Sequence, residues 1–390
     1  MITDHYDVAI IGGGPVGMAL ALALRQTKIS SILLEARGIP EKEEDPRPLA
    51  LSYGSHLILE RLGVWRDLSR TTAIKTIHIS NRGVFGRTIL TSSDADVPAL
   101  GFVVNYHDLF CAMHQQLMTN KSDYIAGATV TRLETTRNLG EVLFTYQNEK
   151  RNISAKLIVL ADGGQLAKQI PNLSYRIHDY QQWAIVANIQ ATQQQTGIAY
   201  ERFTSDGPVA LLPNADDFAL VWTVSPTTVK EFIAMDDDTF LARLHQHFGD
   251  RLGKFVRAGK RSAFPLSLKY APITTAQRVT LIGNAAQTLH PVAGQGFNLG
   301  LRDAYELARE IINASNRLQD IGSAAMLRSF YQNRKIDSSA SRMFTDSLIN
   351  IFSNNNRLLQ QACGLGLSAL DGIPSLKHFV ARRMIFGVRG

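Results

Sequence analysis

RVTLIGNAAQTLHPVAGQGFNLGLRD, residues Arg278 to Asp303, is the part of the chain whose reading decides the fold. The apolar run Val279–Ile282 predicts a short strand. It leads straight into Gly283-Asn284-Ala285-Ala286, then His290-Pro291, then a loop holding Gly294, Gln295 and Gly296. A helix is expected from about Asn298 to Ala314. A strand, a loop of small residues and a helix N-terminus make an anion site, because free backbone N–H groups and the positive end of the helix dipole face outward together. Gly294 and Gly296 let a flat ligand approach the backbone where a Cβ would clash. Taken alone, the stretch reads equally as a buried strand–turn–helix corner.

A second glycine loop at the other end of the chain weighs against that bland reading. Tyr6–Ile11 (YDVAII) has the apolar run of a buried strand. It enters Gly12-Gly13-Gly14-Pro15-Val16-Gly17, which satisfies GxGxxG, and Met18–Leu24 is apolar and helical. Ser31–Leu34 predicts a second strand, ending in Glu35. Strand, glycines, helix, strand and acid in this order form a dinucleotide-binding βαβ unit. Gly12 allows the tight turn, Gly14 admits a pyrophosphate, and Gly17 permits close helix–strand packing. Glu35 stands where a carboxylate accepts from ribose hydroxyls; the bland alternative is a surface acid at a strand end.

At 390 residues the chain is long enough for two domains or one large composite one. The net charge of +7 is modest and scattered, with no basic–aromatic repeat, so nucleic acid is not an expected partner. Two cysteines, Cys111 and Cys363, show no CxxC and no metal-ligand spacing. They read as reduced and packed, which suits the cytoplasm, and no metal is expected. Asp4 and Asp7 lead directly into a strand, unlike a signal peptide. No apolar run approaches the roughly eighteen residues of a spanning helix. From Ser375 to Gly390 the chain holds Lys377, Arg382, Arg383 and Arg389, no acid, and apolar residues from Leu376 to Phe386. That tail is either a docked helix with a solvated basic face or a contact for an anionic membrane surface or a partner.

Between the loops, Pro40, Pro46 and Pro48 mark a loop, and Arg47 precedes Leu49-Ala50-Leu51-Ser52, read as opening a helix to about Leu62. Arg47 either reaches a cofactor or is a solvated loop charge. Ile74–Ser80 predicts a strand, Gly83–Gly86 a hairpin turn, Phe102–Val104 a strand, and Asn105–Met118 a helix. Strands are expected at 124–125, 129–134, 142–146 and 157–160, the last ending in Ala161-Asp162-Gly163-Gly164. Asp162 accepts from a sugar-like hydroxyl or caps its own turn. Residues 175–268 alternate and are rich in aromatics, with one helix near Asp238–Phe248. They read as a mostly antiparallel sheet, a substrate domain inserted into the dinucleotide fold. A helix at 324–352 and a last helical region after Gly372 follow. The only biased tracts are Gln193–Gln195 and Asn354–Asn356.

Three motifs in order carry a resemblance: GGGPVG at Gly12–Gly17 with Glu35, ADG at Ala161–Gly163, and GNAAQTLHPVAGQGFNLGLRDA at Gly283–Ala304. Together they resemble the class A flavoprotein monooxygenases, the family of para-hydroxybenzoate hydroxylase, over nearly the whole chain. Within it the last motif is similar to the ubiquinone-biosynthesis hydroxylases, above all the 2-octaprenyl-6-methoxyphenol hydroxylase subgroup. RPLALSYGS at Arg47–Ser55 and ERFTSDGPVALLP at Glu201–Pro213 add to the likeness. The resemblance implies an α/β fold. A discontinuous Rossmann-like FAD-binding domain (1–73, 101–174 and 269–335) carries an inserted, mostly antiparallel β-sheet substrate domain (74–100 and 175–268) and a helical C-terminal region (336–390).

It also implies roles. Gly12, Gly14, Pro15, Val16 and Gly17 hold the FAD pyrophosphate, and Glu35 takes the adenosine ribose. Arg37, Arg47 and Asn105 lie near the cofactor, and the Val130 backbone meets the adenine. Asp162 serves FAD and the nicotinamide reductant. The Gly283–Ala286 turn, with Asn284, meets the ribityl and phosphate groups. Pro291, Gly294, Gln295, Gly296 and Asn298 line the isoalloxazine. His290 and Pro291 are the catalytic candidates, His290 being equally a turn histidine bonded to backbone; Tyr53 and Arg202 are weaker candidates for a phenol-deprotonating base. The chain departs from the family at Asn284, where Asp is usual, at Gln287, where many relatives have His, and at Leu166 and Gln169, where Ser and Arg commonly follow the DG motif.

The implied reaction is NAD(P)H-dependent hydroxylation of a polyprenylated phenol with O2 through a flavin C4a-hydroperoxide. NAD(P)H would dock transiently, since only one GxGxxG is present. The alternatives are a hydroxylase of another aromatic, a flavin reductase of isoprenoids, and a flavin-binding, non-catalytic subunit of a ubiquinone-biosynthesis complex. The expected setting is cytoplasmic, peripheral at the inner face of the membrane and within a multi-enzyme complex.

Overall fold

The computed structural model describes residues 4–38, 47–119, 123–193, 195–204, 207–352 and 357–388. Pro40, Pro46, Gln194, the Asn354–Asn356 tract and Arg389 lie outside the described residues.

Both glycine loops leave one parallel sheet at the same edge. The strands Asp4–Ile11, Ser31–Glu35, Glu149–Leu160 and Val279–Leu281 run parallel, with Asp123–Ala126 beyond Ser31–Glu35. Ile11 sits in register with both Leu34 and Leu160, and Leu160 with Leu281. Strand ends so aligned bring Gly12, Glu35, Ala161 and Ile282 into one row, where open α/β sheets bind ligands. The strand residues Val8–Ile11 and Leu157–Leu160 are buried on both sides, as a sheet covered on two faces requires. The helices Pro15–Leu24, Tyr106–Thr119 and Gln295–Asn316 cover one face, and the meander 129–146 contributes to the core on the other.

A second sheet of nine strands is antiparallel apart from the pairing of Ile198–Phe203 with Thr76–Asn81. One of its faces carries the helices Val229–Ala234 and Asp237–Phe248 over Tyr200, Phe218 and Trp222. On the other, Phe203 meets Val292 of the second glycine loop.

Two expected helix starts change. Leu49–Ser52 belongs to a strand, Pro48–Ser52, paired with Gly101–Asn105 in a separate three-stranded sheet. Its backbone is taken up by that pairing with Leu51 buried in the core, and a helix forms only from Tyr53, where the Ser52 hydroxyl accepts the Ser55 N–H. The helix of the quoted stretch begins at Gln295, not Asn298, directly after two left-handed residues, Ala293 and Gly294. A helix at Arg357–Gly372 precedes the last one, Pro374–Phe386. Cys363 is buried, whereas Cys111 is exposed rather than packed.

Candidate functional site

The first loop is shaped by steric need. Gly12 has φ +111°, and a Cβ there would lie 2.5 Å from the Ala161 carbonyl carbon, so only glycine turns the chain between these strands. A Cβ on Gly17 would overlap the Gly12 carbonyl oxygen. Gly14 has nothing within 4 Å and opens the helix Pro15–Leu24, whose N-terminus has no side-chain cap. Its first N–H groups therefore have no side-chain acceptor, the arrangement that receives a phosphate. Glu35 is 8 % exposed; its carboxylate accepts the Gly13 N–H at 2.6 Å and the Arg37 N–H at 2.9 Å. The Arg37 guanidinium reaches back to it at 3.2 Å while remaining exposed.

The second loop meets the first directly. A Cβ on Gly283 would stand 3.0 Å from Val16, and one on Gly300 2.9 Å from the same side chain. Ala293 (φ 58°) and Gly294 (φ 61°) turn the chain into the helix Gln295–Asn316, whose N-terminus also lacks a side-chain cap. Gly296 has nothing within 4 Å. Two uncapped helix ends and two open glycines beside one row of strand ends fit a dinucleotide with a flat ring system.

Several candidate side chains have their hydrogen-bonding capacity engaged by the loops themselves. Asn298 is buried and its amide is saturated. Its Oδ1 accepts from the Ser52 N–H (2.8 Å) and the Ser55 hydroxyl (2.7 Å), and its Nδ2 donates to the Ala50 (2.9 Å) and Gly294 (2.6 Å) carbonyls. It clamps the loop to the strand Pro48–Ser52. Gln295 donates to the Ala293 and Met384 carbonyls. Asp162 accepts the Gly164 and Leu166 N–H groups at 2.8 and 2.9 Å, holding its own turn. Asn105 accepts the His107 N–H at 2.7 Å, and Arg47 lies over the Tyr106 and Phe264 rings. Val130 is half-buried on the strand Thr129–Thr135 beside Glu35's strand end, where the Ala128 N–H donates to the Glu35 carbonyl. Asn284 is exposed and has no hydrogen bond with the described residues.

His290 is buried and neutral. Burial lowers its imidazole to about 4. Nδ1 accepts the Val292 N–H at 3.1 Å, which puts the proton on Nε2, and Nε2 is buried without a partner. The Tyr180 ring stands edge-on to it at 5.3 Å. The imidazole supports the Pro291 turn and holds no free basic nitrogen.

The sequence reading missed four groups. Tyr175 donates to the Ala285 carbonyl at 2.7 Å, and Lys269 to the Gly163 carbonyl at 3.0 Å, tying the Asp162 turn to the second loop. Buried Asp303 accepts the Gly283 N–H and pairs with Arg334 at 2.7 Å. The fourth is Glu201. Strict alternation in Ile198–Phe203 puts Ala199, Glu201 and Phe203 on one face, and Phe203 packs with Val292. Glu201 retains partial exposure, its carboxyl has no hydrogen bond or ion pair with the described residues, and burial raises that carboxyl to about 7. A carboxylate between Ala and Phe on an inward face was the available signal.

The fold and this edge define a dinucleotide-binding α/β protein. The chain belongs to the FAD-binding domain family, whose model matches residues 5–339. It is 31 % identical to the ubiquinone hydroxylase UbiL of Rhodospirillum rubrum, over 96 % of this chain and 88 % of the relative. It is 29 % identical to the 3-demethoxyubiquinol 3-hydroxylase of Escherichia coli, over 97 % and 98 %. The solved structure of p-nitrophenol 4-monooxygenase PnpA from Pseudomonas putida shares the fold, with a TM-score of 0.79 at 15 % identity and 100 % of both chains covered.

Proposed function

We propose that the protein is an FAD-dependent, NAD(P)H-using monooxygenase that hydroxylates the aromatic ring of a polyprenylated phenol in ubiquinone biosynthesis. The observation that carries the reading is the convergence of both glycine loops on one strand edge, in a chain matched along its length by ubiquinone hydroxylases. The Gly14 helix end would take the pyrophosphate, Glu35 the ribose, and the Gly294–Gly296 backbone the ring system, with residues 74–100 and 175–268 forming the substrate side. Bound FAD supplies acceptance of electrons from NAD(P)H and activation of O2.

This chain's residues then handle the phenol. Glu201 faces inward beside Phe203, itself against the second loop. As a carboxylate it takes the phenol's hydroxyl proton, and the phenolate is the more electron-rich ring for oxygen insertion. Phe203 and Val292 give that side of the second loop an apolar border. Pro291, turned by neutral His290, borders the same loop.

Membrane contact is supported by the C-terminal helices. Ile336, Met343 and Ile351 recur at near-heptad spacing and are exposed, as are Leu358 and Leu365, and Leu376 with Phe379. Arg382 and Arg383 accompany the last pair. Among the described residues, no helix is long and apolar enough to cross a membrane.

The test is oxidation of NADH and NADPH by the yellow holoprotein, with and without a short-chain prenylated phenol, and mass analysis of the product. Substrate-stimulated oxidation with one added oxygen is expected. A bound flavin that stays oxidised under both reductants would instead indicate a non-catalytic subunit.

A further inference from the structure

At the edge of the second sheet, a cavity of about 630 Å³ opens where the hairpin 76–91 meets the helix Arg357–Gly372. Its lining carries three guanidinium groups, Arg87, Arg202 and Arg251, with His78 among them and one carboxylate, Asp371. His78 and Arg202 share the strand face of Tyr200, which packs under the helix Asp237–Phe248, so they point away from Phe203 and the flavin edge. The walls are fixed. Gly86 and Gly364 bring the hairpin and helix backbones into direct contact, and the Thr88 hydroxyl donates to the Leu367 carbonyl at 2.6 Å.

The charges in this cavity are unbalanced. Among the described residues, Arg87, Arg202 and Arg251 form no ion pair, and Arg202 Nε is buried without a partner. Asp371 lines the cavity, but its carboxylate accepts the Ile89 N–H at 3.0 Å and faces Lys377 at 3.5 Å. Asp250, next to Arg251, is turned to His245. Arg82, close by, contacts His247. Arg251 meets the His78 ring directly. Burial, then the charges of Arg251, Arg87 and Arg202, push His78 down to about 4. Burial and the neighbouring Arg251 and Arg82 lower Arg202 as well. Arg87 and Arg251 are exposed and Arg202 is half-buried; with no carboxylate paired to any of them the three guanidinium groups repel one another, a repulsion that solvent screens at the exposed pair and a bound oxyanion would relieve, and planar guanidinium forks match phosphate oxygens. Val84 and the exposed Phe85 give the mouth an apolar lip, and the volume exceeds what a bare phosphate needs.

We propose that this cavity is a second binding site, separate from the flavin edge, for a phosphate group carried on an apolar body. The phosphate belongs either to a soluble ester or to a phospholipid headgroup; the charge-reading chemistry is the same.

The experiment compares the wild-type holoprotein with R202Q/R251Q and with the single variant R87Q. Inorganic phosphate and glycerol phosphate are titrated by calorimetry, and vesicles of phosphatidylglycerol or phosphatidylcholine by flotation. Melting is followed with and without phosphate, and His78 by imidazole NMR. Removing like charges should make R202Q/R251Q melt higher than wild type without phosphate and abolish the phosphate-induced rise. Phosphate should raise the His78 pKa in wild type. Phosphate binding weakened at least about tenfold in both variants identifies a soluble ester; selective loss of phosphatidylglycerol binding identifies a headgroup. Binding that is unchanged in both variants, or a wild type that responds to neither phosphate nor anionic vesicles, overturns the proposal. Retained flavin absorbance in R87Q separates loss of the site from loss of the fold.

Discussion

Two titratable groups stand near the second loop, and burial moves their pKa values in opposite directions, each toward the uncharged form. His290 falls to about 4 and is uncharged at neutral pH, with Nδ1 engaged by Val292. Glu201 rises to about 7 with no counter-charge, so its ionisation lies in the working range. The base limb of a kcat/KM profile should therefore follow Glu201, rising through about pH 7. Glu201→Gln should remove that limb and lower kcat on the order of 100-fold at pH 8, the scale of a lost general base. A variant that keeps both limb and rate would exclude Glu201 as the base. Stability gives an independent readout. The folded state holds the Glu201 proton more tightly than the unfolded chain, whose carboxyl titrates near 4.5. That contribution is fully present below pH 4.5 and is lost as pH rises through 7. Glu201→Gln mimics the protonated form, so its advantage over wild type in urea unfolding should grow between pH 5 and 8.

The elements that make the site are bound by close approaches, and these separate binding from folding. Gly14 faces open space, so Gly14→Ala should fold with near-normal stability but bind FAD more weakly, by on the order of tenfold or more, in fluorescence titration. Gly17→Ala would drive a Cβ into the Gly12 carbonyl and should lower the melting temperature with or without FAD. Equal destabilisation by both would remove Gly14 from the cofactor contact. A buried ionic group fixes the other loop: Arg334 bridges Asp303 and Asp337, Arg302 joins Asp337 at 2.9 Å, and Asp303 receives the Gly283 N–H. Arg334→Met leaves two buried carboxylates short of a partner and should cost about 3–5 kcal/mol in denaturant unfolding. The βαβ unit was legible because its glycines, strand periods and acid all lie within thirty-odd residues. The Asp303–Arg334 pair was not, because Arg334 sits mid-helix among polar residues and its partner lies on another helix. Leu49–Ser52 was misread because four apolar or small residues before a helix look like its first turn; only the distant strand Gly101–Asn105 makes them a strand. Asn298 was read as a ring contact, and nothing local reveals that Ser52, Ser55 and Ala50 saturate its amide.

Across the whole molecule, the C-terminal helices join the second glycine loop to the exposed apolar surface. The last helix is docked: Ala381 and Ile385 are buried, the Met384 carbonyl accepts from Gln295, and Phe386 meets Tyr53 edge-on at 6.4 Å. Lys377 pairs with Asp94 and Asp371, so part of the tail's basic charge is neutralised internally. The docked reading of the tail describes its buried face, and the membrane reading stays a proposal that rests on its exposed Leu376 and Phe379. Deleting Ser375–Gly390 would test neither cleanly, since it would strip the support of Gln295 beside the second loop. Exposed apolar positions are the cleaner handle, because changing them leaves the docked face intact. Phe379→Glu with Leu365→Glu places two carboxylates where an anionic bilayer surface would lie. If those helices contact the membrane, co-sedimentation with phosphatidylglycerol vesicles should fall at least about tenfold, while flavin content and turnover of a short-chain soluble phenol stay near wild type. The vesicle binding that is lost should also weaken with salt in the wild type, because screening acts on Arg382 and Arg383 within roughly a Debye length of 8–10 Å. Unchanged co-sedimentation would leave the apolar helix faces without a membrane role and turn attention to a protein partner.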